Sequence, residues 1–166
     1  MNSLPPYYYI FTAHSLADTE RLGITLANFL PDGTTVALIG TLGAGKTRLV
    51  QALASGCGIP AKQVTSPTFV LCQHHQGKRL LHHVDVYRLR DEDEFLELGP
   101  EEWFYSSGIT LVEWADRFPL CLPPDRLEIT IEVVSEETRQ FTLRSVGHFD
   151  PQILTAISEN LQNMVS

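Results

Sequence analysis

Residues 40–47 have the sequence Gly-Thr-Leu-Gly-Ala-Gly-Lys-Thr, the most informative part of the chain. It matches the pattern G-x-x-x-x-G-K-[ST], in which a glycine-rich loop turns its backbone N–H groups toward a polyphosphate. The apolar run 35–39 before the loop predicts a buried strand, and residues 46–54 after it predict a helix. Because the motif carries meaning only between a strand and a helix, this order of elements predicts a phosphate-binding loop.

The residues of this loop have distinct expected roles. The N-terminus of the helix that follows adds a partial positive charge to the free amides of the loop. Lys46 is expected to reach the β- and γ-phosphates, and the hydroxyl of Thr47 is expected to bind Mg²⁺. A tight glycine turn before an ordinary helix is the alternative, but it leaves the Lys-Thr pair unexplained. The expected nucleotide-binding residues are Thr41, Leu42, Gly43, Ala44, Gly45, Lys46 and Thr47.

Composition and charge limit the classes of protein that fit this chain. A length of 166 residues with 43% apolar residues suffices for one domain with its own core. The net charge of −8 argues against a broad basic surface that grips nucleic acid. Cys57, Cys72 and Cys121 lie far apart, which predicts free thiols in a reducing compartment. Neither a membrane-spanning run nor a signal-peptide pattern is recognisable, so the cytoplasm is the expected location.

Strand and helix patterns alternate along the chain. Apolar or alternating runs predict strands at 7–12, 35–39, 69–73, 80–87, 109–112, 127–133 and 141–144. Helices are predicted at 15–29, 46–56, 91–98, 101–105 and from Asp150 onward. This interleaving predicts an α/β fold, namely a three-layer P-loop NTPase-like domain with a mixed central sheet, formed by residues 1–166 as one domain.

Two predicted strands end in a carboxylate. The strand 109–112 is apolar apart from one threonine and delivers Glu113, as a Walker B strand does. If it lies parallel beside the strand that feeds the loop, Glu113 can face Thr47 across a metal ion. Asp85, at the end of the other strand, could then orient the attacking water or accept its proton. A solvated surface group or a helix cap is the alternative reading for each acid.

Other positions near these elements are open to two interpretations. Thr68 lies where many P-loop proteins place a threonine that senses the γ-phosphate and the metal, or it is an ordinary turn hydroxyl. Trp114 either walls the site against water or belongs to the core. His82 and His83 point to opposite faces of a strand, which predicts that one is buried and hydrogen-bonded and the other exposed. Guanine-reading motifs such as Asn-Lys-x-Asp do not occur, which weakens a guanine-specific interpretation.

Four segments of the chain, taken together, resemble those of one family. They are the loop 40–47, Val-Thr-Ser-Pro-Thr-Phe at 64–69, His-Val-Asp-Val-Tyr-Arg-Leu at 83–89 and Val-Glu-Trp at 112–114. The chain resembles, to about Ser145, the bacterial ATPase component of tRNA threonylcarbamoyladenosine biosynthesis, the TsaE or YjeE family. Thr41 departs from the aspartate that the family usually has, and Val84 from its phenylalanine. The change at Thr41 removes a charge near the phosphates but no backbone donor, so binding is expected to persist, and the change at Val84 is an apolar exchange on a strand.

The resemblance implies an ATPase that uses ATP and Mg²⁺. In the family, a partner complex containing TsaB and TsaD modifies the adenosine next to the anticodon, and ATP hydrolysis resets that complex. Carried over by position, Lys46 contacts phosphates, Thr47 and Glu113 hold Mg²⁺, and Asp85 is the candidate water-activating acid. The resemblance also places Trp114 beside the nucleotide and aligns Arg139 with a late arginine implicated in nucleotide contact, although a strand-edge surface charge explains Arg139 equally well.

Some alternatives remain open from the sequence. A small-molecule kinase with the same loop is one, and a binding module gated by nucleotide occupancy is another. No arginine finger is evident in cis, with Arg88 a weaker candidate, so slow hydrolysis by the isolated chain is expected. The chain is expected to be a monomer alone and to meet tRNA only through its partners. The acidic helix 91–98 is either a docking surface or a solvated face.

Overall fold

The computed structural model describes residues 7–66 and 71–164, which form a seven-stranded sheet with helices on both faces. The strands are β1 (Tyr8–Ala13), β2 (Thr35–Ile39), β3 (Cys72–Gln76), β4 (Leu80–Asp85), β5 (Ile109–Glu113), β6 (Arg126–Val133) and β7 (Arg139–Val146). The α-helices are α1 (Leu16–Phe29), α2 (Lys46–Gly56), α3 (Glu92–Glu97), α4 (Glu101–Phe104) and α5 (Pro151–Asn163). Single turns of 3-10 helix cover Ala61–Gln63, Ala115–Arg117 and Pro119–Cys121.

The sheet is mixed, with its parallel strands at the centre. Its strand order is β1-β7-β6-β2-β5-β4-β3. The strand β2 runs parallel to both of its neighbours, β5 and β6, and β4 runs parallel to β5. The outer strands pair antiparallel, β3 with β4, β7 with β6, and β1 with β7. The carboxyl ends of β2, β4 and β5 therefore meet at one edge of the sheet.

Two apolar cores, one on each face of the sheet, give the fold its three layers. One core joins the sheet to α1, α2 and α5 through residues such as Leu26, Leu49 and Ile157. The other joins it to α3 and α4 through Phe95 and Trp103. This arrangement confirms the predicted three-layer α/β fold with a mixed central sheet. None of the helices in the described ranges is both long enough and apolar enough to cross a bilayer.

Local sequence signals account for most element boundaries. Ser15 caps α1 by accepting a hydrogen bond from the amide of Asp18 at 3.2 Å, and Asp91 and Asp150 cap α3 and α5 with bonds of 2.9 Å. The strand β4 ends at Asp85 rather than at the predicted residue 87. The carboxylate of Asp85 accepts a hydrogen bond from the amide of Tyr87 at 2.8 Å, and this turn directs the chain out of the sheet.

The strand β3 lies farther along the chain than the predicted strand 69–73. It spans Cys72–Gln76, and residues 67–70 lie outside the described part of the chain. Antiparallel pairing with β4 places Cys72 opposite Val84 and Gln76 opposite Leu80. Pairing with β4 therefore holds the polar residues 73–76 in the sheet. A search for apolar runs in the sequence does not find such a strand.

Candidate functional site

The predicted loop and the two predicted acids lie together at the carboxyl edge of the parallel strands. The loop leaves β2, whose Leu38 is in register with Glu113 of β5. Asp85 of β4 lies directly opposite Glu113 on the other side. Three neighbouring parallel strands therefore deliver the glycine-rich loop and both carboxylates to one place, as expected for ligand sites in open α/β sheets.

The loop itself depends on two glycines. Gly43 and Gly45 have φ angles of 77° and 111°, a region that residues with a Cβ rarely adopt. The amide of Ala44 donates to the carbonyl of Thr41 at 3.0 Å and closes the turn. Within the described part of the chain, the amides of Leu42 and Gly43 donate to no acceptor. The loop therefore presents free N–H groups beside the N-terminus of α2, which suits an anion.

Lys46 lies folded against the loop rather than extended into solvent. Its Nζ donates to the carbonyls of Gly40 at 2.6 Å and Thr41 at 2.9 Å. The same atom lies 3.8 Å from the centroid of the Trp114 ring. Burial lowers the pKa of Lys46, and the nearby carboxylates of Glu113 and Asp85 act in the opposite direction. The ammonium group is thus held between the carbonyls of the loop and the carboxylates at the ends of β4 and β5.

Thr47 and Glu113 are in direct contact. The hydroxyl of Thr47 donates to Oε1 of Glu113 at 2.7 Å. The same Oε1 lies 3.1 Å from Nε2 of His83, a side chain of β4 with no exposed surface. The expected proximity of Glu113 to Thr47 is therefore observed. The sequence did not reveal that a histidine holds this carboxylate from behind.

Asp85 is a buried carboxyl next to a second one. It is 4% exposed, and burial raises its pKa. The amide of Tyr87 lowers the pKa again, while the neighbouring Glu113 raises it further. A carboxyl that is buried beside a like charge and open to a cavity is a recognised candidate for proton transfer.

The oxygen atoms at this edge suit Mg²⁺. Among residues 7–66 and 71–164 there is no cluster of three or more His, Cys, Asp or Glu side chains that forms a complete metal site. Mg²⁺ does not need one, because proteins usually bind it through one or two carboxylates together with water and substrate phosphates. The hydroxyl of Thr47 and the carboxylate of Glu113 provide such oxygens. A cation beside them would also offset the repulsion between Glu113 and Asp85.

Trp114 forms a wall of the site. It has a φ of 62°, and no other non-glycine residue in the described ranges has a positive φ. Its ring lies 4.7 Å from that of Tyr87, centroid to centroid, and both rings line the cavity that contains the two acids. Arg117 fixes this corner by donating to the carbonyls of Val86 and Tyr87. Trp114 is half-buried; it lines the cavity and also packs against the core formed with α3 and α4, so it has features of both interpretations.

Two cavities meet at the loop. The smaller, of about 310 Å³, is lined by Lys46, Thr47, Asp85, Glu113 and Trp114. The larger, of about 720 Å³, lies between the loop, the start of α1 and the β6–β7 turn. The two cavities share Gly43, Gly45 and Arg48 in their linings, and we refer to them together as the groove.

Two arginines lie along this groove. Arg139 lines the larger cavity, and its Nε donates to the carbonyl of Ala44 in the loop at 3.0 Å. Arg48 lines both cavities and makes no hydrogen bond or ion pair within the described ranges. Sequence reasoning missed Arg48 because the motif stops at Thr47. The signal that could have found Arg48 is its position directly after the motif, in the first turn of α2.

The structure brings together every predicted site residue that it describes. Thr68 lies outside the described residues, so its position is not part of this geometry. The prediction that His82 or His83 is exposed was wrong, since they are 6% and 0% exposed. The strand β4 lies inside the sheet and is covered on both faces, so neither side chain reaches solvent. His82 lies on the other face, where its Nε2 is 2.9 Å from Oγ of Ser106.

Comparison with known proteins identifies the family. The family model described as "Threonylcarbamoyl adenosine biosynthesis protein TsaE" matches residues 13–141, which include the loop and both strand-end acids. The chain belongs to the TsaE family. The family acts in tRNA threonylcarbamoyladenosine biosynthesis, and the resemblance inferred from the four sequence segments is confirmed.

Members of the TsaE family from distant bacteria are similar over most of the chain. The tRNA threonylcarbamoyladenosine biosynthesis protein TsaE of Treponema pallidum is 37% identical over 79% of this chain and 96% of its own length. That of Bacillus subtilis is 36% identical over 88% of this chain and 92% of its own length. The crystal structure of Bacillus subtilis YdiB matches with a TM-score of 0.77 and 28% identity, covering 99% of this chain and all of that one.

Proposed function

We propose that this chain is a P-loop ATPase that binds and hydrolyses Mg-ATP. The observation that carries the proposal is the contact between Thr47 and Glu113 beside Lys46, at the edge where the loop leaves the sheet. A loop that only turned the chain would not need a lysine, a hydroxyl and two buried carboxylates around one cavity. The family supports a role for this activity in the threonylcarbamoyl modification of the tRNA adenosine next to the anticodon.

Each group in the smaller cavity has a part in the proposed reaction. The free loop amides and the ammonium of Lys46 bind the phosphates and stabilise the negative charge that develops on them. The hydroxyl of Thr47 and the carboxylate of Glu113 would hold Mg²⁺, which supplies positive charge to the phosphate oxygens when bound. Asp85 orients the attacking water and accepts its proton. Trp114 and Tyr87 limit the access of other water to the cavity.

The larger cavity is where we place the nucleoside. It opens from the loop and is large enough, at about 720 Å³, for a base and a ribose. Arg139 connects this cavity to the loop through its bond to Ala44, and Arg48 offers a cation without a partner in the described ranges. The preference for adenine rests on the family resemblance and on the missing guanine-reading motifs.

The proposed ATPase would be slow when it is alone. Two of the arginines near the site are held by backbone carbonyls, Arg117 by those of Val86 and Tyr87, and Arg139 by that of Ala44. Neither is therefore available as an arginine finger without losing those bonds, and Arg48 lines the cavity in which we place the nucleoside. We propose that a TsaB–TsaD type complex completes the site, that tRNA is met only through this complex, and that the chain is a cytoplasmic, single-domain monomer between encounters.

The proposal predicts that ATP turnover depends on the partners. With the purified chain alone, we expect slow release of phosphate from Mg-ATP. Addition of the TsaB–TsaD complex and tRNA should raise the rate by about 10-fold or more, since completing a phosphoryl-transfer site has large effects. A small metabolite that raised the rate instead would favour a kinase. Rates that stay the same in the presence of the partners would contradict the proposed role.

A further inference from the structure

His83 is the most deeply buried polar group around the site. It lies on β4, two residues before Asp85, and none of its surface is exposed. The register of β4 against β5 places it opposite Leu111, on the side of the sheet that α2 covers. Its Nε2 lies 3.1 Å from Oε1 of Glu113. The imidazole therefore supports the Glu113 carboxylate from inside the core.

The chemistry of the two groups fixes which nitrogen carries the proton. An ionised carboxylate oxygen only accepts hydrogen bonds, so with Glu113 ionised we assign the N–H donor of this contact to Nε2 of His83. Its other nitrogen, Nδ1, is buried and has no hydrogen-bond partner in the described ranges. An apolar side chain would avoid the cost of that unpaired atom. The bond to Glu113 is therefore the feature that distinguishes this histidine from a core residue of similar size.

Glu113 has two hydrogen-bond donors, and only one of them is a proposed metal ligand. Oε1 of Glu113 accepts hydrogen bonds from both Thr47 and His83. In the proposed function, Thr47 would share its hydroxyl oxygen with Mg²⁺. His83 is the donor that would hold the Glu113 side chain without taking part in binding the ion.

We propose that His83 is a positioning residue that fixes the Glu113 carboxylate for Mg²⁺ and thereby sets the affinity for the ion. This inference rests on the proposed function. Hydrogen-bond partners of metal-binding side chains orient the ligand and typically change metal affinity by about 10- to 100-fold when they are removed. His83 has no exposed surface with which to contact a bound nucleotide, so its removal should weaken metal binding much more than metal-free nucleotide binding.

The test uses His83→Leu, which removes the donor, and His83→Gln, which keeps one. His82→Leu is the matched control, because His82 is the neighbouring buried histidine on the opposite face and bonds to Ser106 instead. Mn²⁺ binding to the ADP-saturated protein is measured by electron paramagnetic resonance. Metal-free ADP binding is measured by calorimetry in EDTA. Circular dichroism confirms that each variant is folded.

We expect His83→Leu to weaken Mn²⁺ binding by about 10-fold or more, with metal-free ADP binding unchanged. His83→Gln should recover most of the loss, and His82→Leu should bind Mn²⁺ like the wild type. An unchanged Mn²⁺ affinity in folded His83→Leu, or an equal loss in His82→Leu, would overturn the inference. Failure of the wild type to bind any metal-nucleotide would instead overturn the proposed function.

A second measurement needs no variant. Nitrogen-15 NMR of the histidine rings in the wild-type protein reports which ring nitrogen carries the proton. The inference requires His83 to carry it on Nε2, both without and with Mg-ADP. A ring protonated on Nδ1 alone could not donate to Glu113, and that result would overturn the inference even if His83→Leu did not fold.

Discussion

Lys46→Ala is expected to weaken ATP binding by about 100-fold or more, a loss of roughly 3 kcal/mol. The reason is the position of Nζ, which the carbonyls of Gly40 and Thr41 hold at the loop. The substitution removes a buried cation while the loop amides remain, so the phosphates lose their main positive partner. Calorimetric titration of Mg-ATP into the variant measures the change.

Lys78→Ala is the control for this prediction. Lys78 is an exposed lysine in the β3–β4 turn, away from both cavities of the groove. The same charge is removed there, so a general effect of net charge would appear in both variants. ATP affinity is expected to stay at the wild-type value in Lys78→Ala. Retention of wild-type affinity in folded Lys46→Ala would show that the loop does not bind the phosphates as proposed.

Asp85→Asn is expected to reduce ATP turnover by about 10²- to 10⁴-fold, with little loss of ATP affinity. Asparagine keeps an oxygen that can accept the amide of Tyr87, so the turn after β4 is preserved. It cannot accept a proton from water, so only the chemical step should suffer. Single-turnover phosphate release gives the rate, and titration with Mg-ADP gives the affinity.

A nearby carboxylate provides the comparison for Asp85. Asp116 is exposed on the 3-10 turn after Trp114, and Asp116→Asn makes the same chemical change without touching the buried pair; its charge is the smallest of the three carboxylate effects on the pKa of Lys46. Turnover in Asp116→Asn should stay within about twofold of the wild type, since exposed charges interact weakly. If Asp85→Asn hydrolysed ATP normally, another group would have to orient the water. If it were inactive but still supported the partner complex, nucleotide occupancy rather than hydrolysis would be the function.

Much of the fold could be predicted from the sequence, because its signals are local. The capping residues Ser15 and Asp91 begin their helices as predicted, and the strand, loop and helix around residues 40–47 lie as the motif requires. The apolar strand before Glu113 pairs parallel with β2, which is what places that acid beside Thr47. The caps and the loop are determined by residues adjacent in sequence, whereas the pairing of β5 with β2 is long-range and was predicted only from the apolar pattern of the strand that ends at Glu113.

The parts that could not be predicted depend on residues far apart in the chain. The bond between His83 and Glu113 joins positions 30 residues apart and arises only from the register of β4 against β5. The exposed histidine predicted from strand alternation was wrong because alternation assumes one solvated face, whereas β4 has a core on each side. The polar strand β3 was misplaced for a related reason, since pairing with β4 rather than an apolar pattern holds it in the sheet.

Binding of Mg-ATP at the loop is tested by a calorimetric titration of ATP into the folded, wild-type chain, once with Mg²⁺ and once with EDTA. We expect one ATP bound per chain, with tighter binding in Mg²⁺, and we expect Glu113→Gln to remove most of the advantage that Mg²⁺ gives. Absence of any nucleotide uptake by the folded chain would contradict the account. An Mg²⁺ effect that is unchanged in Glu113→Gln would also contradict it, because the ion would then be bound elsewhere.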